Sequence, residues 1–546
     1  MRTKTARRRR ALGFAVAAVA VAAATLGTAS ASPSHGGFVT AKPAMLAPVA
    51  PGVTVQPLLT VGDTVGGYRF ESIPDGIAVN QDTNRRVDVY VNHETSLVPF
   101  PLTGPTARAD FTNAMVSKLS LDRRTGGTVS GSFVIPDGAN YQRFCSNFLV
   151  GDEQGFERDL LLIGEEARDW VNRTGPAWPA TPFAPGAEQT GVVVAYDVKT
   201  GAYRSIYGMG RHNHENAVAV PGYGQPVVLS GDDTFDAPGS QLYLYNATSG
   251  RNVWNDNGKL YALVPDDPAI NDYGDLTSSN SVSGHFIEVP RMIATGKKPD
   301  GSEVRSSDFG YAAPPGLIPD GPQWVLESWS NANNVFQFIR IEDIAYDREH
   351  PNVVYLADTG EPRAIPDATT GRLRRGSTAT GPYPNGRIFK LVLDKRNKLV
   401  VTSLSILPHG NFDLGGYGNA AITHQPDNLE TTENALLVTE DPGSHNQYSL
   451  PEGPGKTSAR VWRFNLNTGA APDVVLKVDQ SSDPTGQRLG NWESSGIVDA
   501  SDAFGEGTFL IDVQAHGWEI DKQINPTPPY NARESGQLLL VKIPGT

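Results

Sequence analysis

Pro74-Asp75-Gly76-Ile77-Ala78-Val79 is followed, after a polar gap, by Val89-Tyr90-Val91-Asn92-His93-Glu94. An acid leads into a short apolar run, and a second apolar run ends in charge. The pair returns at Cys145-Ser146-Asn147-Phe148-Leu149 with Leu161-Leu162-Ile163-Gly164-Glu165-Glu166, and at His214-Glu215-Asn216-Ala217-Val218 with Val228-Leu229 before Gly231-Asp232-Asp233. It recurs at Glu342-Asp343-Ile344-Ala345 with Tyr355-Leu356 before Asp358, and at Pro426-Asp427-Asn428-Leu429 with Leu437-Val438 before Glu440-Asp441. The sixth copy is Trp492-Glu493-Ser494-Ser495-Gly496-Ile497 with Leu510-Ile511 before Asp512. From Asp75 to Cys145 and on to Glu215 the step is 70 residues each time, then 127 to Glu342, 85 to Asp427 and 66 to Glu493. Such repetition marks units that cannot bury their apolar faces alone and stack on their neighbours.

Between these pairs lie reversals in which Asp or Asn leads to Gly: Asp122 to Gly126, Asp197 to Gly201, Asn246 to Gly250 and Asn465 to Gly469. Asp394 to Asn397 fills the same place without the glycine. These residues favour hairpin turns, so each unit reads as four antiparallel strands, two inner and an outer hairpin. Six such units predict an all-β chain folded as a six-bladed β-propeller. The last unit has one clear outer strand, Gln537 to Ile543, and a strand near Val53 to Val61 is expected to complete it and close the ring. The long step is read as an insertion over about residues 246–336, rich in Pro and Gly and carrying Trp254, Trp324 and Trp329. Residues 32–546 are then expected to form one propeller domain.

Composition agrees. The 546 residues are 39% hydrophobic and 19% charged, which excludes a disordered acidic polymer and a membrane bundle. The 57 Gly and 41 Pro are scattered without a period, which excludes collagen. Residues 1–31 read as a secretory signal: Arg2, Lys4 and Arg7 to Arg10, an uncharged stretch from Ala11 to Leu26, then Ala29-Ser30-Ala31 before a cut at Ser32. Arg9-Arg10 weakly resembles a twin-arginine signal, although Gly13 interrupts its usual hydrophobic pair. No stretch reaches the roughly 18 consecutive apolar residues of a membrane span. The expected product is secreted or held in the cell envelope. Losing those six basic residues takes the formal charge from −13 to −19, which excludes a nucleic-acid partner; the sequence identifies no protein partner.

Innermost propeller strands run along the central axis, so their opening residues share one space. The openers are Asp75, Cys145, Glu215, Glu342 or Asp343, Asp427 and Glu493. Acids at such quarters cannot all ionise without cations, and hard oxygen donors suit calcium, magnesium, manganese or ferric iron. Single acids of this kind also cap turns and tie strands together; six acid or thiol openers beside a second acidic row favour a metal cluster. Cys145 is the only cysteine, so there is no intramolecular disulfide. Alone it reads as a buried core residue, but a thiolate among carboxylates suits iron or zinc better than calcium and implies two kinds of metal. His93, His212, His214 and His516 are further possible ligands, with His214 inside the repeat. Arg211 and Arg340 lie near openers and offer guanidinium forks for carboxylate or phosphate.

The combination Asn92-His93-Glu94, Cys145, Gly164-Glu165-Glu166, Gly210-Arg211 with His214-Glu215, Gly231-Asp232-Asp233, Arg340 with Glu342-Asp343, and Pro426-Asp427-Asn428 resembles the PhoX-type alkaline phosphatases. The likeness keeps its order over most of the chain after the signal. It implies an exported six-bladed propeller that hydrolyses phosphate monoesters, and hence a small phosphorylated substrate, with an iron and calcium cluster. It further implies Cys145 as an iron-binding thiolate, Glu165 or Glu166 with Glu215 as carboxylate ligands, and Arg340 as the phosphate contact. Two departures stand out: Asn147 to Leu162 replaces a Trp- and Gly-rich segment, and Gly164 stands where a second cysteine is usual. A calcium-dependent lactonase or other esterase would use the same acidic axis without needing the thiolate or the arginines. A noncatalytic calcium-binding scaffold would need neither iron nor a nucleophile.

Overall fold

Period-two alternation sends Ile77, Val89 and Val91 to one side of their sheet and Ala78 and Tyr90 to the other. Each sheet therefore buries both faces. The computed structural model describes residues 36–80, 85–234, 239–316, 318–416, 419–442, 457–486 and 489–546. The signal expected over residues 1–31 lies outside them, and no helix among the described residues is long and apolar enough to cross a membrane.

Six antiparallel blades result. Blade one is Pro74–Asn80, Arg86–His93, Met115–Asp122 and Thr128–Ile135; blade two is Phe144–Val150, Leu160–Glu165, Val193–Asp197 and Tyr203–Ile206. Blade three is His214–Ala219, Val227–Asp232, Leu242–Asn246 and Lys259–Pro265; blade four is Ile341–Tyr346, Val353–Asp358, Arg387–Leu393 and Val400–Asn411. Blade five is Pro426–Thr431, Ala435–Glu440, Arg460–Asn465 and Asp473–Val478, and blade six is Glu493–Asp499, Thr508–Gln523 and Tyr530–Lys542. The N-terminal part supplies the missing edge. Thr54–Thr60 pairs with Tyr530–Lys542 as the fourth strand of blade six, and Leu46–Pro48 adds a fifth to blade five. The inner strands pack in sequence around the axis, and the sixth closes on the first. Six apolar clusters occupy the six blade interfaces.

The segment between blades three and four begins later than its sequence suggests. Lys259–Pro265 lies inside the stretch 246–336, yet it pairs with Leu242–Asn246 and completes blade three. The helix Gly250–Trp254, capped by Ser249, takes the place of a tight hairpin turn and so hides this strand in the sequence. Beyond it, Ser281–Glu288 pairs with the outer strands of both blades three and four and joins their edges. The helix Pro322–Ala332 buries Val325, Leu326 and Trp329 in the cluster between blades two and three.

Candidate metal centre

Every inner strand carries a β-bulge at the same place, two residues facing one on its neighbour. The paired residues are Asp75-Gly76, Cys145-Ser146, Glu215-Asn216, Glu342-Asp343, Asp427-Asn428 and Ser495-Gly496. A bulge re-aims side chains that a regular ladder would turn aside. Here it does so six times around one axis.

This register corrects the sixth opener. Ser494 pairs with Val513 and Ile497 with Ile511, as Pro74 pairs with His93 and Ile77 with Val91. Ser495 therefore occupies the position of Asp75, and it donates to Asp75 Oδ1 at 2.8 Å. Glu493 sits two residues earlier, its Oε2 3.5 Å from His516 Nε2, and burial followed by the charge of Asp441 raises its pKa.

The remaining openers converge as two groups of donor atoms. Asp75, Cys145 and Glu215 each place one within 4.8 Å of the others, as do Glu215, Glu342 and Asp427. Glu215 belongs to both. The Cys145 thiol donates to Asp75 Oδ2 at 2.8 Å, and Ser146 Oγ donates to Glu215 Oε1 at 3.1 Å. Burial is the first reason that the pKa values of Asp75, Glu215, Glu342 and Asp427 are raised. For Glu215, Glu342 and Asp427, neighbouring acids push further in the same direction. The Cys145 thiol is pushed up by burial, then by Asp75 and Glu215. Buried acids that resist ionising in one another's company, with a thiol among them, form a donor set suited to bound cations.

The second acidic row resolves into two kinds of residue. Glu165 is fully buried away from the cluster: Arg173 donates to both its oxygens at 2.8 Å, and the Gln142 and Gly191 N–H groups complete its contacts. Asp358 and Glu440 likewise accept from the N–H groups of Ile339 and His424, two residues before an inner strand. These acids hold the approach to the strand. The following residue faces the axis. Burial and then the Asp233 and Glu94 charges push the Glu166 pKa well up, while burial and then Asp75 bring Glu94 to about 8. Of the alternatives Glu165 and Glu166, Glu165 is engaged by Arg173, and neither belongs to a donor triad; the charges around Glu166 are those of Asp233, Glu94 and Glu342.

Arg340 stands at this cluster. Its Nε donates to Asp233 Oδ1 at 2.6 Å, its Nη2 donates to the other Asp233 oxygen, and Nη2 lies 3.2 Å from Glu342 Oε1. Arg211 does not join it. It is fully buried, bonded to the Gln189 carbonyl and 3.3 Å from Glu303, so it ties the inserted segment to blade two. His214 also turns away, with Nδ1 2.7 Å from Ser230 Oγ and Nε2 3.1 Å from the Gly210 carbonyl; burial brings its pKa down to about 3. Asp343 is the inward second bulge residue, but its oxygens are taken by the Leu429 and Ile344 N–H groups and by Asn216. It lines the opposite end of the channel, a cavity of about 330 Å³.

Several residues here were absent from the sequence-derived site. Glu94 and Asp233 were visible only within motifs, and Arg143 escaped notice. Arg143 precedes blade two's inner strand as Arg340 precedes blade four's, so the repeat register was the available signal. Its Nη1 lies 2.6 Å from Asp169 Oδ2, and with Glu94, Arg108 and His516 it lines a cleft of about 360 Å³. Gly164, where the sequence resemblance led to the expectation of a second cysteine, faces the neighbouring inner strand so closely that a Cβ would lie 2.4 Å from the His214 carbonyl oxygen and 2.6 Å from that of Glu215.

No protein-family model matches the sequence, and no curated protein matches it. Among solved structures, the chain is similar to Pseudomonas fluorescens PhoX in complex with vanadate, a transition state analogue, at a TM-score of 0.56 and 15% identity. That likeness covers 93% of this chain and 98% of the other. It supports the β-propeller fold. The computationally designed Ika8 protein matches at a TM-score of 0.30 and 9% identity over 88% of this chain and 98% of its own, and carries no argument.

Proposed function

We propose that the protein is a metal-dependent phosphatase that hydrolyses phosphate monoesters at an axial cluster of iron and calcium. The observation that carries this reading is the pair of donor triads sharing Glu215, with the Arg340 guanidinium beside Glu342. Cys145, Asp75 and Glu215 would hold the softer metal, and Glu215, Glu342 and Asp427 the harder one. Bound there, iron would supply Lewis acidity and calcium charge against the oxygens of the transferring phosphoryl group.

The chain's own part is positioning. Asp233 engages the Nε and Nη2 edge of Arg340, which fixes the guanidinium plane and leaves the Nη1 edge for a phosphoryl oxygen. Because the chain carries a formal charge of −13, an anionic ester needs local cationic groups to enter, and Arg340 and Arg143 lie near the cluster. The same reading takes residues 32–546 as one exported domain, secreted or in the cell envelope after removal of residues 1–31.

Elemental analysis of protein purified after export, with steady-state assays on p-nitrophenyl phosphate, a lactone and a carboxyl ester, tests the proposal. Iron and calcium together with phosphatase turnover are expected. Lactone turnover without phosphatase activity, or calcium alone with no change on Cys145→Ser, would sink it in favour of a lactonase or scaffold.

A further inference from the structure

In the position where blade one places Asp75, blade six places a hydroxyl, that of Ser495. Its Oγ accepts from Gln514 Nε2 at 3.1 Å and donates to Asp75 Oδ1 at 2.8 Å. Gln514 lies on the second strand of the same blade, paired with Glu493, and its Nε2 also donates to Glu94 Oε2 at 3.4 Å. An equivalent chain runs through Ser146. Asn428 Nδ2 donates to Ser146 Oγ at 3.0 Å, and Ser146 Oγ donates to Glu215 Oε1 at 3.1 Å. Blade five thus reaches across the axis to blade two, and blade two passes the contact to blade three.

Donor chemistry sets the direction of both chains. A hydroxyl has one proton, and the NH2 end of an amide only donates. With a lone pair of each serine taken by an amide, its proton is left for the carboxylate. Ser146, Ser495, Asn428 and Gln514 are all buried, which shields the two hydroxyls from bulk water. Each accepting carboxylate oxygen keeps a further lone pair for a cation. Outer hydrogen bonds of this kind orient ligating carboxylates, and their loss weakens metal binding about 10- to 100-fold. Asp75 belongs only to the triad that contains Cys145, whereas Glu215 belongs to both triads. The two serines therefore act on different sets of ligands.

We propose that Ser146 and Ser495 are positioning residues of the metal centre, Ser495 setting a carboxylate of the Cys145 triad alone and Ser146 setting the carboxylate that both triads share. This rests on the metal-binding part of the reading above and not on ester hydrolysis.

The test is metal binding to the full chain, chelated and then titrated with one metal at a time. Cobalt(II) reports the Cys145 triad through its thiolate-to-metal absorption band, and calcium, followed by calorimetry, reports the all-carboxylate triad. Ser495→Ala is expected to weaken the cobalt step about 10- to 100-fold and to leave calcium within about twofold, whereas Ser146→Ala should weaken both. Ser495→Thr and Ser146→Thr keep the hydroxyl and should restore most of the affinity. Asn428→Leu keeps Ser146 and removes the amide that directs its proton, so both metals should weaken about threefold or more, which serves if an alanine variant folds poorly. Ser117→Ala removes a buried hydroxyl of blade one that bonds Tyr68 and His93, and should move neither metal. A parent chain without the thiolate band, equal losses of the two metals on Ser495→Ala, or alanine variants that bind both within about twofold of the parent overturn the proposal. Binding with the expected serine dependence in a loaded chain that turns over no p-nitrophenyl phosphate would keep the serines and remove the phosphatase; turnover with serine-independent binding would do the reverse.

Discussion

Glu215 serves both donor triads, whereas Glu165, 50 residues earlier, serves neither and neutralises Arg173. Replacing each with Gln should therefore give opposite outcomes. If the proposed metals are bound, Glu215→Gln is expected to lower the metal content of both triads together, read by elemental analysis, while the fold persists because a neutral amide replaces an acid crowded by other acids. Glu165→Gln leaves a buried guanidinium without its carboxylate, at a cost of about 3 to 5 kcal/mol in a denaturant melt. The folded fraction should keep its metals. Arg340→Lys keeps a charge and loses the fork, so metal content should stay while kcat/KM falls by the equivalent of about 2 to 4 kcal/mol; unchanged kinetics would remove Arg340 from the phosphate site. Gly164→Cys tests the expectation, drawn from the sequence resemblance, that a cysteine could stand at this position. With two carbonyl oxygens under 3 Å from any Cβ, the added thiol should push the Glu215 strand and lower stability by about 1 to 3 kcal/mol rather than add a ligand.

Individual strands explain which parts of this architecture could be read in advance. The six inner strands were legible because each needs an apolar run of fixed length beside a fixed turn, and both leave marks in residue type. The closing strand was legible for the same reason: Leu58 and Leu59 are fully buried at the last edge. Leu58→Ala should lower stability by about 2 to 5 kcal/mol, measured by urea unfolding, because the cavity opens at the interface where the ring closes. The bulges were not legible. Residue type aligned Glu493 with Asp75, whereas backbone pairing sets Ser495 there, and only hydrogen-bond register distinguishes them. Pairs such as Glu165-Glu166 pose the same difficulty: alternation puts them on opposite faces without saying which face is axial. Arg211 and His214 lay close in sequence to Glu215 yet turn into the packing between blade and insertion, which no local pattern records.

At the scale of the whole molecule, the closed ring makes stability depend on what neutralises its axis. In unfolded chain Glu94 titrates near the ordinary glutamate value, 4.5, but burial and then Asp75 raise it to about 8 in the fold. The folded state therefore binds more protons across that window, and stability present at low pH is lost as pH rises from about 4.5 through about 8. Glu166, Glu215, Glu342 and Asp427 shift in the same direction and deepen the loss. Cations bound at the axis would take over the neutralising role of the protons, so the loaded protein should show a much smaller decline. Asp110, raised to about 7 by burial, lies outside the two triads and should contribute to both forms, so the difference between chelated and loaded protein isolates the cluster. Urea midpoints measured at about pH 5 and about pH 8, before and after chelation, should diverge most at the higher pH. Equal midpoints for chelated protein at the two pH values, or a loss on raising pH that metal does not reduce, would mean that the axial acids are neutralised by the fold itself.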